Sequence, residues 1–456
     1  MLQVVQIEQL EGLEGILSPR PSRQRSHKIL VAVLFGTMAV FSAFPIANHL
    51  FRPAGENKDY DIWYKAGRIA LEGNDLYTPR EQTGQRVLEF MYPPAAAIFL
   101  APLTALGKLP FLLSLDVLNS LSWMASLFLA VRLAENMGLR RTMALYVFPA
   151  ACTVAYVYDA YLLGQPNLML LACMLAAFVA LQQKKDWTAG GLLAFATACK
   201  AFPLLSLGYL VYRRHWRAAF AMFVFLALFL FVLPATVRGI GRTARELQTW
   251  TGRMLLHYDN NGIAQRPGTS YEWKNASLLA ITHRLLRHVP AELPDNDDPV
   301  YVNIAELDFR FVSGVAVVSA AIVCLACVLV LPSQPLRTKA TDAIEFAMLL
   351  VLITILSPIS WFYYGVWLLY PFAVVAQFIR SLPKESVTKK IAVAGLAVCL
   401  LLLNAVFPCL GAVRAVGMPI FAYLLLLLEL GWILWLTQSN PTRSWRISDR
   451  LQVAAR

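Results

Sequence analysis

Apolar segments long enough to cross a lipid bilayer recur along this chain, and they constrain its fold more than any other feature. Hydrophobic residues make up 58% of the 456 residues, charged residues only 15%, and the mean hydropathy is +0.55. A soluble protein carries about a quarter charged residues. We therefore predict an all-α polytopic membrane protein. The segments expected to cross are 29–47, 112–133, 143–158, 168–183, 187–199, 201–212, 218–234, 311–331, 344–356, 362–378, 391–410 and 418–436.

Basic residues cluster in the short segments between these spans. The chain has 40 Lys and Arg against 28 Asp and Glu, a formal net charge of +12. In membrane proteins such an excess lies in cytoplasmic loops, so this charge does not indicate a nucleic-acid partner. The long segment 238–310 holds nine Lys or Arg and nine Asp or Glu, the neutral balance expected of an outer loop.

About twelve crossings, with both termini in the cytoplasm, satisfy this charge pattern. We predict a cytoplasmic segment over residues 1–28 and a transmembrane domain over 29–437, with outer loops at 48–92 and 238–310. Residues 438–456 would form a cytoplasmic tail. The expected location is the plasma (inner) membrane. The first span is not expected to be a signal peptide, because its lead-in is long and no small-residue cleavage site follows.

The polar stretch after the first span is predicted to form an amphipathic helix over residues 60–72. One face carries aromatic and small residues, and the other carries charged residues. Asp59 lies at the N-cap position and Gly73 at the C-cap position. A helix of this kind beside a span should lie flat in the membrane interface. That placement puts Asp59 and Asp61 at the boundary between water and lipid, where a lipid-borne substrate presents its head group.

The cysteines do not indicate a disulfide framework or a metal site. There are seven, an odd number, and all lie in or at the ends of apolar runs. Cys324 and Cys327 are three residues apart, but no second pair or nearby His completes a zinc site. We expect no metal and no cofactor.

Several short motifs follow one another in a fixed order along the chain. They are Asp59-x4-Tyr64-x-Ala66-Gly67, Gly73-x3-Tyr77, Tyr92-Pro93-Pro94, Gly164-Gln165-x-Asn167, Lys200-x2-Pro203, Asn275-Ala276-Ser277-Leu278 with Arg284 downstream, and Ser357-Pro358-Ile359-Ser360-Trp361. Each motif alone is weak. Together, over about residues 30–440, they resemble glycosyltransferase family 87. The resemblance implies a GT-C fold, an extracytoplasmic active site and a polyprenyl-phosphate sugar, typically mannose, as donor.

The chain departs from the family pattern at one place. Family members commonly carry a His shortly after the Ser-Pro-x-Ser-Trp motif, and that His is implicated in the active site. Here the positions hold Phe362, Tyr363 and Tyr364. The departure leaves open whether the acceptor is the same and whether the chain is a catalytically degenerate relative.

The resemblance assigns the role of general base to Asp59. Inverting transfer from a polyprenyl phosphate needs a base for the acceptor hydroxyl and no acid for the leaving group, because phosphate leaves as a stable anion. The alternative is that Asp59 only caps its helix. Asp61, on the charged face, is a candidate substrate contact. Its alternatives are a solvated residue, a partner of Lys65, or half of a metal-binding pair with Asp59.

Lys200 is the candidate for binding the donor phosphate. A lone cation between two apolar helices is costly unless it is used, although its side chain can instead snorkel to the interface. Arg284 is a second candidate for the phosphate, with a solvated loop residue as its alternative. Gln165 and Asn167 can hydrogen-bond sugar hydroxyls, or they can cap the helix that Pro166 begins.

Three further residues complete the predicted substrate-binding set: Tyr64, Asn275 and Trp361. We expect transfer of a hexose, most often mannose, onto a lipid-linked glycan or a surface polysaccharide. The expected partners are the lipid donor, this acceptor and membrane lipids. A transporter or flippase of a lipid-linked sugar is the alternative. It would favour a charged path through the bilayer and inverted repeats, and the sequence displays neither.

Overall fold

The computed structural model describes residues 21–51, 59–77, 90–138, 142–260, 262–263, 270–292, 298–404 and 415–439. In chain order its α-helices are α1 Pro21–Phe51, α2 Asp59–Leu71, α3 Pro94–Thr104, α4 Lys108–Ala134, α5 Met143–Leu163, α6 Asn167–Gln182, α7 Asp186–Cys199, α8 Leu205–Tyr212, α9 Trp216–Ala227, α10 Leu233–Arg238, α11 Ile240–Thr249, α12 Leu278–Leu286, α13 Phe309–Val330, α14 Lys339–Leu356, α15 Leu369–Ser381, α16 Val387–Asn404 and α17 Pro419–Ser439.

Short irregular turns of helix extend or join several of these elements. The 3₁₀ segments are Glu135–Met137, Phe202–Leu204, Gln334–Leu336 and Phe362–Leu368, and the π-helical segments are Leu228–Val232 and Trp250–Leu255. Within the described residues, the strand content is one antiparallel pair of two residues each, Tyr258–Asp259 with Gly262–Ile263. The prediction of an all-α membrane protein agrees with this architecture.

Eight helical segments of the described chain are long and apolar enough to cross a membrane. They are Val31–Phe51, Lys108–Met137, Met143–Leu163, Trp216–Arg238, Phe309–Val330, Phe362–Ser381, Val387–Asn404 and Pro419–Ser439. Four other predicted crossings form helices that are shorter or more charged, namely α6, α7, α8 and α14. The count of about twelve crossings therefore stays a prediction. Residues 1–20 and 440–456, which make up most of the predicted cytoplasmic segments 1–28 and 438–456, lie outside the described residues.

The segment Phe362–Leu368 and α15 form the buried centre of the bundle. Nearly every residue from Tyr363 to Val375 is buried, as expected of a helix that is apolar on all sides. The Tyr370 hydroxyl donates to the Ala343 carbonyl at 2.7 Å and so links α15 to α14. Tyr363 and Tyr364 lie near the start of this buried centre.

The predicted amphipathic helix is present as α2 and packs on α3. Its buried face includes Tyr60, Trp63 and Gly67. Gly67 allows the close approach, because a Cβ there would lie 2.5 Å from the Thr104 Cγ2 atom. The Trp63 ring stacks on Tyr92 at 4.1 Å between centroids. The aromatic face is thus a packing face, and the interfacial placement of α2 stays a prediction.

The two short segments predicted over 187–199 and 201–212 form α7 and α8, and the chain breaks from helix at Lys200 between them. Helix α7 ends at Cys199, Lys200 takes an extended backbone conformation, and Pro203 lies in the following 3₁₀ turn. A continued helix would need the N–H of residue 203 to donate to the Cys199 carbonyl, and proline has no N–H. Gly190 of α7 lets α9 approach closely, since a Cβ there would lie 2.6 Å from the Ala218 carbonyl oxygen. This packing fixes the first part of α7 against α9.

Candidate active site

Four polar side chains from three separate parts of the chain meet at one buried point. Asp59 begins α2, Gln165 and Asn167 lie at the start of α6, and Lys200 follows α7. The Lys200 ammonium donates to Gln165 Oε1 at 2.5 Å and to Asn167 Oδ1 at 2.8 Å. Gln165 Nε2 donates to the Asp59 carboxylate and lies 3.4 Å from the Tyr92 hydroxyl. The motifs predicted to act together therefore lie together.

The local backbone explains how Gln165 reaches this point. Helix α5 ends at Gly164, which has a φ of +75°, a conformation that favours glycine. A Cβ at Gly164 would lie 2.3 Å from the Tyr60 ring, so a side chain there would displace α2. Pro166 occupies the N-cap of α6, and no side chain caps that helix end. Gln165 and Asn167 thus face Lys200 rather than cap their helix.

The charges in this cluster are screened from solvent. Lys200 exposes 3% of its surface and Asp59 exposes 7%, and the two amide side chains are fully buried. Burying a charge is costly unless it is paired or hydrogen-bonded. Gln165 satisfies both ions at once, because its carbonyl faces the ammonium and its amide faces the carboxylate. The carboxylate and the ammonium are thereby held on opposite sides of one amide.

Three aromatic rings surround Lys200, a feature that motif analysis did not foresee. The Lys200 Nζ atom lies 5.3 Å from the centroid of Tyr92, 5.0 Å from that of Tyr363 and 5.3 Å from that of Tyr364. These distances fit cation–π attraction. Tyr363 and Tyr364 stand where the family commonly has its His, so the departure in sequence falls on residues in contact with Lys200. Trp361, predicted as a substrate contact, occupies the N-cap position immediately before the 3₁₀ segment that carries both tyrosines.

Asp61 and Tyr64 make their contacts with α4. Asp61 forms an ion pair with Lys108 at 2.9 Å, a partner that the sequence interpretation did not foresee. The Tyr64 ring packs on Phe111 with 5.5 Å between centroids. Both side chains are half-buried. They project from the same helix as Asp59 but toward a different neighbour.

Asn275 joins two of the predicted motifs. Its Nδ2 donates to the carbonyls of Ser270 and Pro358, and its Oδ1 accepts from the backbone N–H groups of Ser277 and Ser360. The Ala276 N–H also donates to the Ser360 carbonyl at 2.8 Å. The two motifs, about 85 residues apart, therefore form one hydrogen-bonded junction.

Arg284 is fully buried behind that junction. Its Nη1 donates to the carbonyls of Tyr271 and Glu272, at 2.8 and 2.7 Å. Its Nε and Nη2 atoms are buried and have no hydrogen-bond partner among the described residues. Gly417, with a φ of +85°, lies against Nη2, where a Cβ could not fit. No contact joins Arg284 to Lys200 in the described part of the chain.

The arrangement can accept a proton at a carboxylate and hold an anion at an ammonium within one buried cluster of side chains. The Asn167 Nδ2 atom adds an N–H donor that is buried and has no hydrogen-bond partner within the described ranges. Across those same ranges, no three His, Cys, Asp or Glu side chains are grouped so that they could hold a metal ion. The groups present suit acid–base chemistry beside a bound anion.

Known mannosyltransferases are similar to parts of this chain. One relative is a polyprenol-phosphate-mannose-dependent alpha-(1-2)-phosphatidylinositol pentamannoside mannosyltransferase of Mycobacterium tuberculosis (strain CDC 1551 / Oshkosh), 29% identical over 64% of this chain and 59% of its own length. A phosphatidylinositol mannoside mannosyltransferase with the same donor dependence, from strain H37Rv, is 23% identical over 77% of each chain. A Mycolicibacterium smegmatis relative is 30% identical over 34% of this chain and 38% of its own.

The matched part of this chain thus spans less than two thirds of the length of the CDC 1551 relative and of the Mycolicibacterium smegmatis relative. A protein-family model described as glycosyltransferase family 87 matches residues 90–358, which is more than half of the chain. That range contains Gln165, Asn167 and Lys200 of the buried cluster, as well as the Asn275 junction. With this match and the helical membrane architecture, the chain belongs to glycosyltransferase family 87.

Proposed function

We propose that this chain is an integral-membrane mannosyltransferase that uses a polyprenyl-phosphate mannose as its donor. Family membership and the donor dependence for which the three mycobacterial relatives are named support the donor and the sugar. We place transfer on the extracytoplasmic face, with inversion at the anomeric carbon. The acceptor in this proposal is a lipid-linked glycan or a surface polysaccharide. The relatives are named for phosphatidylinositol mannoside acceptors, which belong to the first of these classes.

The single observation that carries the proposal is the bridge from Asp59 through Gln165 to Lys200. It places a buried carboxylate and a buried ammonium on either side of one amide. A polyprenyl-phosphate sugar needs a cation at its phosphate and a base at the acceptor hydroxyl, close to the anomeric carbon. The cluster supplies one of each, and a phosphate leaving group needs no acid because it leaves as a stable anion.

In the proposed reaction, Asp59 takes the proton of the acceptor hydroxyl as that oxygen bonds to the anomeric carbon. The bond between the anomeric carbon and the phosphate oxygen breaks, and its electron pair leaves with the polyprenyl phosphate. Lys200 balances the charge on that phosphate, in a site where low dielectric strengthens the attraction. The unpaired Asn167 Nδ2 donates to a sugar or phosphate oxygen. A single displacement of this kind inverts the anomeric configuration.

The other predicted contacts enter the proposal with different support. Arg284 is kept as a second cation for an anionic substrate group, because two of its buried nitrogens have no partner among the described residues. Asn275 contributes by holding the outer segment on the membrane core. Asp61, Tyr64 and Trp361 are only half-buried and stay as proposed contacts with sugar or prenyl groups.

Reconstitution tests this proposal against its rivals. Purified protein in liposomes receives polyprenyl-phosphate mannose with a radiolabelled sugar, together with glycolipid extracted from a deletion strain. We expect labelled glycolipid to form with wild-type protein and not with Asp59→Asn. Movement of labelled donor between leaflets without transfer would instead support a flippase. Neither transfer nor movement, in folded protein, would support a catalytically degenerate relative.

A further inference from the structure

A second buried polar cluster lies beside Asp59 and has no part in the proposed reaction. Asp116 of α4 is fully buried within a predicted span. It accepts a hydrogen bond from the Tyr60 hydroxyl at Oδ1, and His49 Nε2 lies 3.5 Å from its Oδ2. The His49 ring also meets the Tyr60 ring edge-on, with 4.8 Å between centroids. An ionisable group inside an apolar span is expensive, which favours a functional role.

Tyr60 connects this cluster to the candidate base in two ways. It follows Asp59 directly in the first turn of α2, so a shift of Tyr60 moves the Asp59 backbone. Its ring also packs against Gly164, the residue that precedes Gln165. Gln165 in turn donates to the Asp59 carboxylate. Tyr60 is therefore fixed at its hydroxyl by Asp116 and at its ring by the turn that holds Gln165.

The hydrogen bond has a defined direction. Burial, and next the nearby Asp116 carboxylate, raise the pKa of Tyr60 well above its usual value. The phenol thus keeps its proton and donates a hydrogen bond to Asp116. This hydrogen bond fixes the distance between the Tyr60 hydroxyl and the Asp116 carboxyl group.

We propose that Asp116, held by His49 and acting through Tyr60, is a positioning residue that sets the orientation of the Asp59 carboxylate. This inference rests on the proposed function, because it assigns a role relative to Asp59 as base. Asp116 itself contacts no substrate in this proposal. Its contribution is to keep the first turn of α2 from rotating or sliding against the turn at Gly164.

The decisive variant is Tyr60→Phe, which keeps the ring against Gly164 and removes only the hydroxyl. A misplacement of about 1 Å costs on the order of 10²-fold in rate, so we expect kcat to fall by about 10- to 100-fold. The KM for polyprenyl-phosphate mannose should stay within about two-fold, because Lys200 and Asn167 are untouched. A loss confined to donor KM, or a wild-type kcat, would overturn the inference.

Variants of Asp116 provide the second measurement. Asp116→Leu should lower kcat as Tyr60→Phe does, and the double variant should be no slower than the slower single one, since both act through one contact. Asp116→Asn keeps an acceptor for the Tyr60 hydroxyl and should recover most of the lost kcat. Additive losses, or no recovery in Asp116→Asn, would contradict a positioning role. If Asp116→Leu does not fold, Tyr60→Phe and Asp116→Asn decide the question.

Ser42→Ala is the matched control. Ser42 is buried in the same region and bonds to the Tyr161 hydroxyl at 3.0 Å, without contact to Tyr60 or Asp116. We expect kcat to be unchanged in this variant. An equal loss of kcat in Ser42→Ala would mean that the cluster contributes only to general stability. The two proposals fail separately. An inactive Asp59→Asn beside a fully active Tyr60→Phe removes only the positioning role, whereas an active Asp59→Asn removes the base and the positioning role together.

Discussion

Gln165 accepts a hydrogen bond from the Lys200 ammonium at 2.5 Å while its own amide donates to Asp59. Gln165 and Asn167 thus give the Lys200 ammonium two neutral hydrogen-bond acceptors. In the proposed function, the phosphate of the polyprenyl-phosphate sugar would replace these amide oxygens with an anion. The ion pair adds Coulomb attraction that a neutral amide oxygen does not supply, so this exchange would favour binding of the phosphate.

Asp59→Asn separates a catalytic from a capping role. Asn caps helices about as well as Asp, so a structural Asp59 would tolerate the change. Asn cannot take a proton, and we therefore expect kcat to fall by about 10²–10⁴-fold while donor binding persists. The measurement is transfer of labelled mannose by purified protein whose folding is checked by size-exclusion chromatography and thermal unfolding.

Asp61→Asn, two residues away on the same helix, is the control for that variant. Its ion pair with Lys108 is half-exposed, and exposed pairs contribute little. We expect Asp61→Asn to lose far less turnover than Asp59→Asn does. A larger loss in Asp61→Asn than in Asp59→Asn would move the base to position 61.

Lys200→Met is expected to weaken donor binding selectively. Loss of a charge-assisted contact costs about 1.5–3 kcal/mol, which corresponds to roughly a 10- to 100-fold increase in donor KM. The acceptor KM should change much less. Lys65→Met, an exposed cation on α2, serves as the control and should leave both constants unchanged. An unaltered donor KM in folded Lys200→Met protein would return Lys200 to a snorkelling role.

The predicted topology can be tested by thiol labelling in a background without the seven native cysteines. Single cysteines at Asn74 and Glu306 should react with a membrane-impermeant reagent added to intact cells. A cysteine at Lys185 should react only after the cells are broken. Labelling of Asn74 only in broken cells would put the candidate site on the cytoplasmic side and contradict the proposed face of transfer.

The buried ion pair between Arg213 and Glu345 is expected to dominate the stability of the α8–α14 contact. Both side chains are almost fully buried, and Arg213 donates from Nε to Glu345 Oε2 at 2.7 Å. Removal of one partner leaves a buried charge uncompensated and costs about 3–5 kcal/mol. Glu345→Leu should therefore lower the melting temperature in detergent markedly.

The double variant Arg213→Met/Glu345→Leu is the informative companion. An apolar replacement of both partners is often neutral or stabilising. The melting temperature should thus recover most of what Glu345→Leu loses. A double variant no more stable than Glu345→Leu would mean that the pair itself, rather than the uncompensated charge, sets stability.

Sequence motifs identified the residues of the buried cluster better than the residues that hold that cluster in place. Asp59 and Gln165 were singled out because they lie in motifs that resemble a known family, and Lys200 also because it is a lone cation between two apolar helices. The contact of Asp116 with Tyr60 depends on the rotation of α4 relative to α2, which no local periodicity encodes. The sequence does show Asp116 within an apolar span, and this was the signal from which the cluster could have been found.

Partner choice over long separations was the other part that pattern could not supply. Asn275 was predicted to contact substrate, yet its amide is engaged with backbone groups around Ser360. Tyr363 was noted for replacing a His, but its contact with Lys200 follows from the packing of the 3₁₀ segment against the break after α7. Such contacts are set by tertiary packing, so they required the three-dimensional structure.

The junction at Asn275 has a practical consequence for work with the predicted outer segment 238–310. Two of the four hydrogen bonds of the Asn275 side chain join it to the backbone of Pro358 and Ser360, which lie outside that segment. A fragment excised for expression in water would lose these two partners, and water would take their place. Antibodies raised against the isolated fragment would therefore meet a surface around Asn275 that is buried in the intact protein.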